Sequence, residues 1–166
     1  MDKQMMFLII LAAMMLALTL ALPRSIEAAP GGLASGMVRA PAANVEVEIL
    51  ESNSDYVNHI YLVSPGSEIF IGTDEATGTI VALPPVSPGT ELVFEIRVFE
   101  MDGTDTGFRW KSGPPGRNPD HVRHVQLTQP APDQILVSFE DLPASAWDAP
   151  EEPNFVDAIF VVREAS

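Results

Sequence analysis

The apolar runs after residue 44 are all short, and clusters of proline, glycine, asparagine and aspartate separate them. In the clearest run, apolar and charged side chains alternate: Leu92, Phe94, Ile96 and Val98 with Glu91, Glu95 and Arg97. A period of two places successive side chains on opposite faces of a β-strand. No stretch after residue 44 has the longer period of an amphipathic helix. The chain is therefore predicted to form an all-β, antiparallel β-sandwich that is jelly-roll-like.

Other runs predict how the strands are connected. Residues 45–49 and 57–63 are expected to be strands, and residues 68–72 and 78–83 flank a polar segment as the two arms of a hairpin. The last run, residues 155–162, is apolar on both faces apart from Asp157. A strand with two apolar faces belongs in the middle of a sheet, so the last strand is predicted to be central.

The first 29 residues have the features of a cleavable signal peptide. Lys3 precedes an uncharged apolar run, Phe7 to Leu22, and small residues around Ala29 offer a cleavage site. The alternative is an uncleaved anchor, although a helix needs about 20 apolar residues to span a bilayer. Residues 30–44, rich in Gly, Ala and Pro, are expected to be a flexible leader, and residues 45–166 a single domain. The predicted location is extracellular or the cell surface, without stable membrane insertion after cleavage.

Charge and cysteine content limit the possible partners. The formal net charge is -14, and the acids and bases of residues 1–29 cancel, so the excess belongs to the exported part. Such a balance repels nucleic acid and anionic lipid but attracts cations. The chain has no cysteine, so disulfides cannot stabilise it outside the cell. Its stability must come from packing or from a bound ion.

Three acids stand within otherwise apolar strand sequence. Glu140 and Asp141 follow one apolar run, and Asp157 lies inside the last one. Pro143 ends the strand and lets the backbone turn, so that the three carboxylates can converge. A buried carboxylate needs a partner, and Ca²⁺ takes about 6 to 8 oxygen ligands. The spacing therefore favours a calcium site.

Two other interpretations of these acids remain open. Acidic turns between strands are usually solvated loops, and Asp157 has arginines elsewhere in the chain with which it could form an ion pair. The candidate arginines are Arg97, Arg109 and Arg123. The loop between the last two strands adds three acids that either complete the site or merely surround it: Asp148, Glu151 and Glu152.

The sequence F-E-D-L at residues 139–142, followed by N-F-V-D-A-I-F at 154–160, resembles the C-terminal signature of a known family. The family is the bacterial extracellular family called domain of unknown function 4114, and its pattern is F-E-D-L, a Gly/Asp-rich loop, then D-[FY]-[ND]-D-x-[VI]-F. Residues 60–63, 89–94 and 113–124 are also similar to that family. The resemblance covers roughly residues 45–163.

The resemblance implies an exported β-rich module of surface and adhesin-like bacterial proteins, with calcium binding as a reasonable role for its acids. Glu140, Asp141 and Asp157 match the family's acids, and Asn118 with Asp120 match its Asn-Pro-Asp turn. Two positions depart from the pattern. Asn154 stands where the family often has Asp, and Val156 where it has Asn or Asp.

Histidine and aromatic residues give weaker indications. His121 and His124 are three residues apart, which on a strand would direct them to opposite faces and away from a shared zinc ion. His124 is interpreted either as support for a nearby carboxylate or asparagine or as a surface histidine. Four aromatic residues could form a carbohydrate-stacking face, or could pack in the core or at its rim: Tyr56, Tyr61, Trp110 and Trp147.

The predicted function is an exported, non-catalytic module with a structural or adhesive role and a carbohydrate or surface protein as ligand. Its predicted calcium ligands are Glu140, Asp141 and Asp157, with Asn118 or Asp120. The alternatives are a carbohydrate-binding module and a glycoside hydrolase, which needs two carboxyls about 5 to 9.5 Å apart in an open cleft. Convergence of the acids in a small oxygen-lined pocket would favour the ion.

Overall fold

The computed structural model describes residues 31–147 and 153–166, and confirms the predicted all-β sandwich. Two five-stranded antiparallel sheets contain the strands of the described residues. In chain order these are β1 (Val38–Arg39), β2 (Val45–Ile49), β3 (Val57–Ser64), β4 (Ile69–Thr73), β5 (Ile80–Ala82), β6 (Glu91–Phe99), β7 (Asp105–Lys111), β8 (Val125–Ala131), β9 (Gln134–Phe139) and β10 (Ala158–Glu164). The short helices are α1 (Gly31–Ala34) and two 3₁₀ turns, Pro115–Arg117 and Ala144–Ala146.

Each sheet is organised around one well-paired strand. In the first sheet β6 pairs with β3, with β1 and with β7, and β3 also pairs with the edge strand β4. The second sheet has the order β5-β2-β10-β9-β8, so β10 is central, as its two apolar faces predicted. Every pairing is antiparallel.

The core lies between the sheets and follows the predicted alternation. All four apolar side chains of β6 at positions 92, 94, 96 and 98 are fully buried. Phe94 of β6 meets Phe160 of β10 across the interface, with ring centroids 4.8 Å apart. Because aromatic side chains bury much apolar area, this contact joins the two sheets at their centre.

The hairpin predicted for residues 68–83 is wrong. β4 belongs to the first sheet and β5 to the second, so the chain between them crosses from one sheet to the other. At the crossing, Asp74 N–H donates to Asn58 O at 3.0 Å, and Gly78 N–H donates to Ile49 O at 2.8 Å. Local alternation identified both strands, but their partners are set by distant residues that the pattern does not contain.

Part of the segment expected to be a flexible leader belongs to the fold. β1 pairs with the start of β6, and Val38 and Ala40 are buried in the core. The folded unit therefore begins before residue 45, because burial of these side chains outweighs the glycine and proline content around them. The predicted signal peptide, residues 1–29, lies outside the described residues. Within the described ranges, no helix is long and apolar enough to cross a membrane.

We expect the close approach of the sheets at Gly72 to require glycine. A Cβ added to Gly72 would lie 2.6 Å from Ile49 Cδ1. Gly72 also has a φ of +152°, which other residues rarely adopt. Gly72→Ala should therefore lower the free energy of unfolding by about 1–3 kcal/mol. Urea denaturation measures the change. Gly116→Ala is the control, because an added Cβ there meets open space; equal stability of the two variants would contradict the prediction.

Candidate metal centre

The structure brings Glu140, Asp141 and Asp157 together at one end of the second sheet. Glu140 and Asp141 directly follow β9, and Asp157 directly precedes β10. These strands are antiparallel neighbours, so the end of one lies beside the start of the other. One carboxylate oxygen from each residue lies within 4.8 Å of the other two. All three residues are buried, with 1%, 2% and 6% of their surface exposed, which excludes the solvated-loop interpretation.

The backbone between residues 140 and 142 is held by three aromatic ring nitrogens. Each of the three consecutive carbonyl oxygens is paired with one ring: Glu140 O with His124 Nδ1 (3.1 Å), Asp141 O with Trp110 Nε1 (2.6 Å) and Leu142 O with Trp147 Nε1 (3.0 Å). A carbonyl only accepts, so His124 carries a proton on Nδ1. These contacts hold the backbone of the turn from which the carboxyl side chains of Glu140 and Asp141 extend.

His124 connects the turn to Asp120. Its ring is fully buried and stacks on Trp110 with centroids 3.8 Å apart and planes 1° apart. His124 Nε2 lies 2.8 Å from Asp120 Oδ2. Burial acts to raise the pKa of Asp120, but hydrogen bonds from His124 and from the N–H groups of Val122 and Ala144 hold that pKa below its ordinary value. His124 therefore supports the turn and is not a surface residue.

Asn118 and Asp120, which the sequence offered as further ligands, have other partners. Asn118 Oδ1 accepts from Lys111 N–H at 2.8 Å, and Asn118 Nδ2 donates to Val122 O at 2.8 Å and to Lys111 O. Asp120 is occupied by His124 and by two backbone N–H groups. Among the described residues, the acids close enough to share a metal ion are Glu140, Asp141 and Asp157. The Asn-Pro-Asp turn thus fixes the loop before β8.

The acidic cluster has a specific set of hydrogen bonds. Asp141 Oδ2 accepts from the Ser54 hydroxyl at 2.5 Å and from Asn58 Nδ2 at 2.9 Å. Asp157 Oδ2 accepts from Asp141 N–H at 3.0 Å, and Glu140 Oε2 accepts from Asn154 N–H at 3.1 Å. The carboxyls of Glu140 and Asp157 also interact with each other, and this interaction contributes to the raised pKa of Asp157. Asp148, Glu151 and Glu152 lie outside the described residues.

Asn58 and Asp74 extend the site and were missed by the sequence reasoning. Asn58 is fully buried, and its Nδ2 lies 3.1 Å from Asp74 Oδ2 and 3.3 Å from Asp157 O. Asp74 is 4% exposed and accepts from Asn58 N–H at 3.0 Å through Oδ1. The alternation of β3 contained a signal, because Asn58 has the same inward phase as Ile60 and Leu62. A polar residue at an inward position indicates a buried polar contact.

Burial dominates the electrostatics of the cluster. Desolvation, the negative charges of Asp141 and Glu140, and the hydrogen bond to Glu140 raise the pKa of Asp157 to about 8, against the opposing effect of Asp141 N–H. Burial also raises the pKa of Asp74, although hydrogen bonds from Asn58 oppose the shift. In the absence of a cation, the cluster therefore retains a proton at neutral pH.

The arginines considered as partners of Asp157 are engaged elsewhere. Their contacts are Arg97 with Glu68 and Glu95, Arg109 with Asp105, and Arg123 with the carbonyl of Ala34. All three arginines are themselves exposed or half-buried, unlike Asp157. Ion pairing with one of these arginines is therefore not the environment of Asp157.

The aromatic residues do not form a single carbohydrate-stacking face. Trp110 is 3% exposed and packs on His124 inside the molecule. Tyr61 instead lies on the outer face of the first sheet, where its ring is 5.1 Å from that of Phe70 and 4.0 Å from the Arg97 guanidinium. Trp110 is thus buried while Tyr61 lies at the outer face, so these two rings do not share one surface.

The chain matches no family model, no curated protein and no solved structure. Function is therefore inferred from the chemistry of the site, since a fold alone does not define an activity. That chemistry is a set of three buried carboxyls with oxygen atoms close enough to share one cation.

The raised pKa of Asp157 predicts how pH changes the stability of the metal-free protein. A group whose folded pKa is raised stabilises fully below its unfolded pKa, here 3.8, and this contribution is lost as pH rises towards about 8. In EDTA, the free energy of unfolding of the wild type should therefore fall between pH 4 and pH 8 relative to that of Asp157→Asn. The expected fall is on the order of a few kcal/mol. Parallel urea denaturation curves at each pH measure this difference. A constant difference across that range would contradict the assignment.

Proposed function

We propose that this chain is an exported, non-catalytic β-sandwich module that binds one Ca²⁺ through Glu140, Asp141 and Asp157. The observation that carries the proposal is the burial of three carboxyls whose oxygens lie within 4.8 Å of one another. Ionised carboxylates at this separation repel strongly where water is excluded. A divalent cation removes the repulsion and replaces the lost hydration, which protonation does only in part.

The donor set supports calcium over other common metals. The three acids offer oxygen atoms, the ligands that hard cations prefer. Ca–O distances of about 2.3–2.6 Å allow two ligands of one ion to lie up to roughly 5 Å apart, which accommodates the cluster. Zinc favours nitrogen and sulfur, but the ring nitrogens of His124 already contact Glu140 O and Asp120, and the chain has no cysteine.

A structural role for the ion follows from where its ligands lie. Glu140 and Asp141 end β9, Asp157 begins β10, and Ser54 reaches Asp141 from the loop between β2 and β3. An ion here holds the central strand, its neighbour and that loop together. At a free concentration 100 times its Kd, the ion would add about 2.7 kcal/mol to the stability.

Export and an adhesive role are the wider part of the proposal. They are supported by the apolar leader with its small-residue cleavage site, by the net charge of -14 and by the resemblance to a bacterial extracellular family. The ligand of the module would be a carbohydrate or a surface protein. A chain without disulfides that works outside the cell gains most from an ion that joins its strands.

Glycoside hydrolysis, the alternative use of the same acids, is less well supported. A hydrolase needs its two carboxyls on either side of a sugar in an accessible cleft. Glu140, Asp141 and Asp157 are at most 6% exposed and contact one another closely. This arrangement suits a cation and leaves no room between the acids for a sugar ring.

Thermal unfolding in EDTA and in millimolar CaCl₂ at pH 8 tests the calcium site. We expect calcium to raise the melting temperature of the mature domain by roughly 10 °C, the shift that about 2.7 kcal/mol produces in a domain of this size. Asp141→Asn should abolish the shift, because it removes a ligand charge.

Asp105→Asn is the matched control. Asp105 is an exposed acid that pairs with Arg109 on the outer surface, so its variant should keep the calcium-dependent shift. Identical melting curves of the wild type in EDTA and in calcium would contradict the proposed calcium site.

A further inference from the structure

Asn58 contains an oxygen atom that the folded chain does not satisfy. Asn58 is fully buried, and within the described ranges Asn58 Oδ1 is a buried side-chain atom with no hydrogen-bond partner. Buried polar atoms are nearly always paired, because an unpaired one loses its hydration without compensation. Something outside the described chain is therefore expected to contact this oxygen.

The amide of Asn58 lies beside the acidic cluster. Asn58 Nδ2 lies 2.9 Å from Asp141 Oδ2 and 3.3 Å from the carbonyl oxygen of Asp157. The nitrogen and oxygen of one amide are about 2.3 Å apart, so Asn58 Oδ1 lies at most about 5 Å from Asp141 Oδ2. Oxygens that share one Ca²⁺ are separated by up to this distance.

We propose that Asn58 Oδ1 is a further ligand of the cation bound by Glu140, Asp141 and Asp157, an inference that rests on the proposed calcium site. Amide oxygens are normal calcium ligands alongside carboxylates. Asn58 belongs to β3 of the first sheet, whereas the three acids flank β9 and β10 of the second. The ion therefore bonds to both sheets and closes this end of the sandwich.

Asp74 is the positioning residue for this ligand. Its two carboxylate oxygens accept from the backbone N–H and the side-chain Nδ2 of Asn58, at 3.0 and 3.1 Å, and its own N–H donates to Asn58 O at 3.0 Å. These three bonds fix both the backbone and the amide plane of Asn58. The fixed orientation removes the entropy cost that a mobile ligand would pay on binding the ion.

Two substitutions separate a ligand role from a structural role. Asn58→Asp keeps an oxygen at the Oδ1 position but removes the N–H donors, so it should destabilise the protein in EDTA yet bind Ca²⁺ at least as tightly as the wild type. Asn58→Leu removes the side-chain oxygen as well as the N–H donors and should raise the Kd for Ca²⁺ about tenfold or more. Isothermal titration with CaCl₂ at pH 8 gives both constants.

Asn118→Leu is the matched control, because Asn118 is also a buried asparagine, 2% exposed, but its amide oxygen and nitrogen already have partners. It should destabilise the protein while leaving the Kd for Ca²⁺ unchanged. Wild-type affinity in Asn58→Leu, or equal weakening in Asn58→Asp and Asn58→Leu, would overturn the inference. Absence of calcium binding in the wild type would instead overturn the proposed function, and the inference with it.

A measurement on the wild type covers the case in which Asn58→Leu does not fold. With ¹³C-labelled asparagine, calcium should shift the side-chain carbonyl resonance of Asn58 while that of Asn118 stays in place. Calcium-saturated protein in which the Asn58 resonance does not move would contradict ligation by Oδ1.

Discussion

The mutual repulsion of three carboxyls in a water-excluded site is the physical constraint that governs the chemistry of this structure. Glu140, Asp141 and Asp157 are placed within 4.8 Å of one another by the pairing of β9 with β10, whose register is fixed by the apolar core. The packing energy of the sandwich thus forces the acids together. Either a retained proton or a cation must offset the repulsion. Only a cation would allow all three carboxyls to be ionised while they remain buried.

Hydrogen bonds around the cluster reduce the conformational freedom of its side chains. Ring nitrogens of Trp110, Trp147 and His124 hold the three carbonyls of residues 140–142. Asp74 holds Asn58 from the other sheet. A site that is ordered in this way would lose little entropy on binding the proposed ion, so that most of the interaction energy would go into stability.

Features that depend on local pattern were predictable from the sequence. The alternation at residues 92–98 identified β6 and its inward face, and the two apolar faces of β10 placed it in the middle of a sheet. The convergence of Glu140, Asp141 and Asp157 followed from the strand break at Pro143 and from the acid in an apolar run.

Features that depend on contacts between distant residues were not predictable. Asn58 is 83 residues from Asp141, and no local pattern links them. The partners of β4 and β5 are likewise decided by inter-sheet packing, so their proximity in sequence wrongly indicated a hairpin. Asn118 and Asp120 were expected as ligands from a resemblance, which does not specify that Lys111 and His124 bond to them. Sequence reasoning therefore identified the acids but not the amide beside them.

The chain has two tryptophans, and both indole N–H groups bond to carbonyls of the acidic turn. Indole emission depends on the polarity and rigidity of the immediate surroundings, so the intrinsic fluorescence of this protein originates almost entirely from one small region. Both tryptophans therefore report on the acidic turn. A rearrangement of that turn can be followed by tryptophan fluorescence in the unlabelled wild type.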